Sequence, residues 1–442
     1  MSKIEVNTVD VASGSTLTIG SSGKTISLAT GATQSGFGRA GSVDWQTVVT
    51  SDTTAVSGRG YFVDSSGGTK TITLPSSPSA GDIVAVVQIG DNVVTIDGNG
   101  SNISSSAANK TLVDQASTTL IYTSSATIGW QPVNNDIPEA FISATGGTET
   151  TSGNFKIHTF NSSSNFVVSS ISGVTTKDEV SYMVVGGGAG AGAQIGGGGG
   201  AGGFREGRAG NDTFSVSPKN APAGIAVTAQ TYPITVGGGG AGAPSGTIGC
   251  ASNNFGSAGG TSTFSTITSA GGGGGAGNTN ANGNTGGSGG GGGLRTGTGG
   301  SGNTPPVSPP QGNNGGNAVN TDGGAGGGGG GAGGNGSNAS GCSPAQAGPG
   351  GNGVATSITG SAVTRAGGGG GGGRNCSGTS EANLGAGGSG GGGAGIKVGG
   401  TAGGAGTSNT GGGGGSSGYT PGPGGAGGAG GSGVVIIRYK YQ

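Results

Sequence analysis

The sequence predicts an all-β chain with almost no α-helix, in which N-terminal β modules are followed by a polyglycine II helix sandwich. Three observations carry this. Glycine makes up 118 of 442 residues, about 27 per cent, where an ordinary domain carries roughly 7 per cent. The glycines are unevenly placed: 20 lie in residues 1–185 and the other 98 from Gly186 onward. Before that break, β-branched and aromatic residues alternate with polar ones between Gly, Ser and Asn turns, and no 3.6-residue period is visible.

Residues 1–41 read as an N-terminal β attachment region: Ile4, Val6, Val9 and Val11 alternate with polar residues, and Thr16–Ile19 and Lys24–Leu28 follow. Residues 42–135 hold longer strands at Gly60–Asp64, Lys70–Pro75, Asp82–Gly90, Asn92–Asp97, Thr111–Val113 and Thr118–Thr123, leading to Trp130. That spacing suits a small β-sandwich or barrel, with Trp45 and Trp130 expected to bracket its core. In 136–185 the alternating Phe155–Phe160, the run from Phe166 and the run Val180–Val185 are strands, the last leading straight into Gly186. Residues 434–442 contain Val434-Val-Ile-Ile-Arg438-Tyr-Lys-Tyr441, the only strongly apolar strand of the second half. One sheet pairing these segments would close the glycine region, 186–433, at its base.

Ten glycine-dominated runs begin near Gly186, Gly196, Gly237, Gly271, Gly286, Gly323, Gly367, Gly385, Gly411 and Gly424, with alanine as the usual interruption. A flexible Gly/Ser linker has a similar composition. Against that reading, the connecting loops differ in chemistry, a closing strand needs a partner, and so long a connection is far outside ordinary lengths. Glycine loses more backbone entropy on folding than any other residue, so something must offset that loss at 98 positions. Extended helices of polyproline-II geometry have three residues per turn and no internal hydrogen bonds. Without side chains they can pack closely and bond to neighbours in several directions. The runs then become rods in a slab whose interior is peptide groups, all of which must be paired, with alanines tolerated at the rims.

Composition excludes other classes. Charged residues number only 35, net charge is −1 and the pI is near 5.8, so the chain lacks the basic stripe of a nucleic-acid binder and the net charge of a disordered tail. The prolines follow no Gly-X-Y period, which excludes collagen. No run of about 18 apolar residues suggests membrane insertion, and MSKIEVNTVDVAS has no apolar core of a signal peptide. The halves differ in charge: residues 1–185 carry 8 basic and 14 acidic side chains, the remainder 9 and 4.

Several passages carry a resemblance: Val180-Ser-Tyr-Met-Val-Val-Gly-Gly-Gly188, Gly196–Phe204, the run from Tyr232 to Gly242, Gly259–Phe264 and Gly431–Tyr439. In that order they resemble the glycine-rich domain of bacteriophage tail fibres. Asp44–Val133, with Gly60-Tyr-Phe-Val-Asp64 and the run from Ile72 to Val84, looks like a β module of marine-phage fibres. The glycine region is also similar in design to the tip adhesins of T-even-like phages, where packed polyglycine helices hold variable loops against host receptors. The departure is that this chain carries its own N-terminal β shaft. The resemblance implies a virion tail-fibre protein that binds a host cell-surface receptor, a homotrimer attached to other tail proteins through its N-terminus, and assembly in the host cytoplasm without a signal peptide. It implies no cofactor and no enzymatic activity.

Candidate receptor-binding residues lie in the loops between runs, since binding groups concentrate on loops held by a rigid scaffold. Loops with aromatic, Asn and Arg side chains are preferred: Phe204, Arg205 and Arg208; Asn253, Asn254 and Phe255; Arg295; Pro305, Pro309 and Gln311; Arg374 and Asn375; Tyr419. Any of them could equally be a plain turn. Phe264 and Ile267 are expected to anchor their loop in an apolar cluster. No catalytic or metal site emerges. His158, the single histidine, reads as an exposed strand residue. Cys250, Cys342 and Cys376 have no zinc-ligand spacing; Cys342 and Cys376 could pair, but cytoplasmic assembly favours free thiols. Gly20–Thr25 lacks the first glycine of a P-loop, since Thr18 stands there. The glycine half has too few acids for calcium-binding repeats or for the paired carboxylates of a polysaccharide-cleaving tailspike. Matches to Asn-x-Ser/Thr at Asn102 and Asn161 are frequent by chance in this composition. The competing readings are a purely structural virion fibre and an ice- or surface-binding polyglycine protein.

Overall fold

A computed structural model describes residues 43–113, 115–134, 141–172, 177–221, 223–245, 255–277, 281–294, 296–320, 324–341, 346–374, 384–396, 401–419 and 424–441. The attachment region, the GSSGKT segment, all three cysteines, Asn253, Asn254, Arg295 and Asn375 lie outside them. The chain divides into two compact units, Met1–Pro138 and Glu139–Gln442. The described residues are all-β, with no helix and several open sheets.

The first unit has nine strands: β1 (Asp44–Trp45), β2 (Thr53–Thr54), β3 (Arg59–Asp64), β4 (Lys70–Thr73), β5 (Ile83–Ile89), β6 (Val94–Asp97), β7 (Lys110–Leu112), β8 (Ser117–Tyr122) and β9 (Trp130–Asn134). Odd strands β1, β3 and β5 join one sheet and even strands β2, β4 and β6 the other, with parallel neighbours in each. The chain therefore coils between two sheets before antiparallel β7, β8 and β9 finish them. Period-two burial in β6 and β8 directs one face inward, and Val63, Ile72, Leu74, Val86, Ile96 and Leu120 fill the core. Trp130 is fully buried there. Trp45 is not: it is 47% exposed and stacks on Phe62 at the surface. As a residue of two-residue edge strand β1 it has no sheet beyond it to cover its ring.

The second unit begins with β10 (Ser143–Thr145), β11 (Thr148–Ser152), β12 (Phe155–Phe160), β13 (Ser164–Ser170) and β14 (Glu179–Val185). It continues with β15 (Phe204–Gly207), β16 (Asn220–Ala221), β17 (Ile225–Ala226), β18 (Thr231–Thr235), β19 (Ser262–Phe264), β20 (Ile267–Ser269), β21 (Val354–Thr356), β22 (Val363–Arg365) and β23 (Val434–Lys440). β23 lies between β12 and β14, with Val185 opposite Val434, so the glycine region starts and ends side by side. β13 goes to a second sheet, ordered β10-β13-β18-β19-β20. Continuous apolar character in β14 and β23 follows from burial on both faces. Tyr182, Val184, Val435, Ile437 and Tyr439 face the cluster containing Phe166, Tyr232, Ile234 and Phe264. Met183, Val185, Val434 and Ile436 face a cluster with Phe204, Phe214, Val354 and Ile358. Phe264 is fully buried and Ile267 packs beside it, both in the first of these clusters.

Hydrogen bonds of the glycine runs repeat every third residue. Gly186, Ala189 and Gly192 donate to Gly203, Gly200 and Gly197. Gly187 and Gly190 donate to Gly260 and Ser257, and Gly188 and Ala191 to Gly431 and Gly428. Three directions, cycling with a period of three and with no bond inside the run, are the signature of a threefold extended helix. Rod 196–203 is the centre: it donates to rods 270–276, 327–330 and 411–414 and accepts from 186–192, 288–291 and 369–372. Those six bond to one another in a closed ring, through Gly272 to Gly187, Gly273 to Ser288, Gly327 to Gly292, Gly329 to Gly369, Gly413 to Gly367 and Gly414 to Ala189. Further rods form an outer shell: 237–243, 255–260, 281–284, 297–302, 312–317, 334–339, 346–352, 385–388, 392–396, 401–407 and 427–433.

Many outer rods are not glycine-dominated, which is why the sequence shows fewer rods than the structure. Only positions facing the backbone of a neighbouring rod, inner or outer, must lack a side chain, as Gly316 does against Ser337 O of the next outer rod. A Cβ on Gly336 would lie 2.1 Å from Gly328 O, whereas Asn335, Ser337 and Asn338 beside it are exposed. Alanines, expected at rims, occur there, as at Ala241, Ala258, Ala402 and Ala405, but also inside: Ala189, Ala191, Ala201, Ala332 and Ala366 are fully covered. The last three meet Val185, Phe204 and Ile436, filling space where rods give way to sheet side chains.

Candidate functional site

The rods have two unlike ends. At the near end β14 runs into Gly186, Gly203 runs into β15 and Gly433 runs into β23, so chain entry, chain exit and both sheets are there. The β19–β20 and β21–β22 hairpins belong to this end too, bonded to rods through Ser262, Ser269 and Ala366. At the far end the rods turn around with no sheet beyond them. The connections there leave from or return to Gln194, Leu294, Val319, Ala339, Gln346, Arg374, Ile396 and Tyr419 among the described residues.

The middle of the far end is closed by Gln194 and Ile195, whose φ values are 51° and 59°. Glycine would adopt this left-handed turn without strain, whereas a β-branched residue there is an outlier. Their side chains explain the preference: Ile195 is 1% exposed and Gln194 is fully buried. Ile195 N–H donates to Ser417 O, its carbonyl accepts from Leu294 N–H, and Gln194 N–H donates to Ser417 Oγ. Gly424 passes so close to the Gln194 amide that a Cβ would sit 2.1 Å from Nε2. The connection leaving at Leu294 and the one flanked by Ser417 and Gly424 are thus tied to one plug. Beside it the Arg374 guanidinium lies over the Tyr419 ring at 4.5 Å, and Tyr419 N–H reaches Gly373 O at 3.4 Å. Arg374 is exposed and Tyr419 half-buried, a cation–π pair open to solvent on one side. A small apolar cluster of Val319, Ala325, Ala339 and Ala347 supports the neighbouring turns.

Residues picked from the sequence divide between the ends. Arg374 and Tyr419 come together at the far end. Phe255, half-buried, leads into rod 255–260 there. The other picks among the described residues are at the near end. Phe204 is not a loop residue: it opens β15 and is fully buried in the cluster under the rods, because it follows directly on a rod entering the sheet. Arg205 shares that strand and is half-buried, and Arg208 Nη1 donates to Phe214 O. Gln311 is 1% exposed; its Nε2 donates to Pro305 O and its Oε1 accepts from Ala270 N–H. It staples the proline loop to the central rods. Asn303 Oδ1 accepts from Val307 and Gln311 N–H, which leaves Pro305 exposed and Pro309 half-buried on a fixed loop.

His158 corrects the sequence reading: it is fully buried, between the Phe166 edge at 5.1 Å and the Tyr439 ring at 5.6 Å. Its Nδ1 pairs with Gly146 O and its Nε2 with Tyr439 Oη. β12 is covered on that face by the second sheet, so alternation there marks two apolar surroundings rather than inside and outside. Burial pushes the imidazole below its usual range, partly offset by the Gly146 carbonyl and by Glu149. A second buried polar group, invisible in the sequence, joins distant strands. Arg438 Nε contacts Asp212 Oδ1 and Oδ2 at 3.1 and 3.0 Å, with Phe155 over the guanidinium at 4.3 Å. Glu206, 1% exposed, accepts from Ser217 N–H and the Thr356 hydroxyl, and burial raises its carboxyl above the ordinary range.

No group of three or more His, Cys, Asp or Glu able to hold a metal occurs among the described residues, and no helix among them is long and apolar enough to cross a membrane. The family model described as a glycine-rich domain matches residues 161–440. No curated protein matches the chain.

Proposed function

The chain belongs to the glycine-rich domain family, and on that premise we propose that it is a phage tail-fibre protein that adheres to a host cell-surface receptor through the far-end connections of its rod bundle. The observation that carries the reading is the polarity of the bundle. The start and the finish of the glycine region and both larger sheets of the second unit occupy one end, leaving the other for turns of varied composition around the Gln194–Ile195 plug. Hydrogen-bonded rods order the flanks of each turn before any ligand arrives, which lowers the entropy lost on binding. Tyr419 and Arg374 supply the residue types that dominate binding hot spots. The virion location, homotrimeric assembly, attachment to other tail proteins through residues 1–41 and absence of catalysis belong to the same proposal.

The test uses the labelled full-length chain on a panel of bacterial strains, beside an Arg374→Ser, Tyr419→Ser double variant. Saturable binding to some strains, lost in a double variant with an unchanged unfolding profile, supports adhesion by the far end. Failure of the folded, correctly assembled chain to bind any strain from which the phage forms plaques would leave a purely structural fibre as the better account.

A further inference from the structure

The outer shell has a chemically distinct arc built on rods 281–284, 297–302, 312–317 and 334–339. An outer rod directs some of its N–H groups away from the inner ring, and here a carboxamide of the next rod takes them. Thr298 N–H donates to Asn282 Oδ1 at 3.0 Å, Gly299 N–H to Asn317 Oδ1 at 2.9 Å and Gly302 N–H to Asn314 Oδ1 at 2.9 Å. Asn314 N–H donates to Asn335 Oδ1 at 3.1 Å and Asn317 N–H to Asn338 Oδ1 at 2.8 Å. All five asparagines are exposed. Each oxygen is held by backbone, and among the described residues none of the five Nδ2 groups has a protein acceptor. Asn314 and Asn317, like Asn335 and Asn338, are three residues apart, one turn or about 9 Å along a threefold rod. The scaffold thus displays a repeating two-dimensional array of oriented amide donors. The four rods carry no charged side chain.

We propose that this asparagine arc is a binding surface for a neutral polysaccharide. An array of identical donors at a fixed repeat matches a ligand that itself repeats and offers oxygen acceptors. Polyanions, nucleic acids included, gain nothing from a face without Lys or Arg, since their binding rests on charge neutralisation. An extended peptide would bring N–H groups that need acceptors, and the carboxamide oxygens are already engaged; leaving such donors unpaired costs affinity. Sugar hydroxyls can accept from Nδ2 and turn their own protons to water. This surface lies along the bundle side, apart from the far-end connections, and rests on the adhesive reading only for where such a polymer is met.

The experiment measures binding of the full-length chain to immobilised dextran, mannan and galactan, with alginate and hyaluronan as acidic counterparts. Asn314→Asp, Asn317→Asp and Asn338→Asp together keep an oxygen for each backbone N–H and remove the donor. Ala402→Asp with Ala405→Asp, exposed on a different outer rod, is the charge control. Expected is binding to at least one neutral polymer that is insensitive to salt, weakened roughly tenfold or more in the triple variant and retained in the control. Binding only to acidic polymers, no binding to any neutral one, or equal binding by the triple variant would overturn the proposal. Cell binding by the triple variant on the strain panel separates the two ideas: wild-type adhesion that survives the triple variant, alongside no neutral-polymer binding, sinks the arc and leaves the far end standing.

Discussion

A Cβ added at Gly198 in the central rod would sit 2.0 Å from Gly369 O, 2.5 Å from Gly369 C and 3.0 Å from Gly329 N. Ordinary contact begins near 3.4 Å, so Gly198→Ala must push rod 366–372 outward by about 1.4 Å or tilt the central rod by as much. Neither rod has room, because the ring around the centre is closed. The bonds in the path are Gly369 N–H to Gly199 O at 2.9 Å, Gly329 N–H to Gly369 O at 2.8 Å and Gly198 N–H to Gly327 O at 3.0 Å. Lengthening two of them past bonding range, with their groups buried, costs about 3–6 kcal/mol in all. The smaller entropy of the unfolded alanine chain returns only about 0.4–1 kcal/mol. The net expectation is a loss of about 2–5 kcal/mol. Gly238→Ala is the opposite case. A Cβ there meets nothing within 4 Å and φ is not positive, so only the unfolded-state term acts and the variant gains about 0.4–1 kcal/mol. Guanidinium unfolding followed by tyrosine near-ultraviolet circular dichroism reads the second unit. Both tryptophans, Trp45 and Trp130, are in the first unit, so their fluorescence gives an internal transition that neither variant should move. Gly198→Ala within 1 kcal/mol of wild type would refute the claim that close-packed backbone, rather than chain flexibility, is why glycine is used.

Other outcomes follow from the near-end polar groups. Arg438→Met leaves Asp212 buried without its cation and is expected to cost about 3–5 kcal/mol, most of it recovered by adding Asp212→Asn; equal stability of single and double variants would contradict the pairing argument. His158, held below the ordinary imidazole value of about 6.5 chiefly by burial, stays neutral in the folded chain over a pH range where the unfolded chain already takes up a proton. Stability of the second unit should therefore be full above pH 6.5 and fall as pH drops below it, levelling off under the folded value. Unfolding midpoints between pH 8 and 5 check this, and His158→Asn should remove that component. Glu206, raised by burial, has the reverse sign: its ionisation costs folded stability as pH rises past the ordinary carboxyl range. Glu206→Gln keeps an oxygen for Ser217 N–H and offers an amide to the Thr356 hydroxyl. It should raise the midpoint at pH 8 more than at pH 4, which paired denaturation curves would show or deny.

The all-β class and the glycine region were legible because each rests on a local signal: period-two alternation in β6 and β8, and side-chain-free runs such as Gly196–Gly203. Burial was harder to read. His158 and Trp45 sit in similar alternating contexts, yet a second sheet covers one and nothing covers the other. Rods such as 312–317 and 334–339 were hidden because they need glycine only where the backbone of a neighbouring rod approaches closely. The Asn-x-x-Asn spacing at 314 and 317 and at 335 and 338 is the mark they leave, a period of three that glycine counting overlooks. Of the candidate residues, Arg374 and Tyr419 pair at the far end, while Phe204 and Gln311 are buried at the near end and serve the packing there.

The order of the rods could not be read at all, and the reason is physical. Oily cores are specified by side-chain shape, but this interior is specified by peptide hydrogen bonds identical at every position. Rod 196–203 runs antiparallel to 186–192 and parallel to 327–330, and both pairings satisfy the same groups. Pairing therefore has to be set at the rod ends, where side chains return: Phe204 and Val185 below, Gln194 and Ile195 above. A consequence separates the ends experimentally. Replacing Gln194 and Ile195 by Gly-Gly relieves a strained turn worth about 1–3 kcal/mol per residue but removes the plug that registers two connections through Ser417 and Leu294. If the plug sets register, the variant keeps its near-end sheets, protected in hydrogen exchange, while far-end amides from Leu294 to Tyr419 lose protection. Uniform protection in the variant would place the register information elsewhere in the chain.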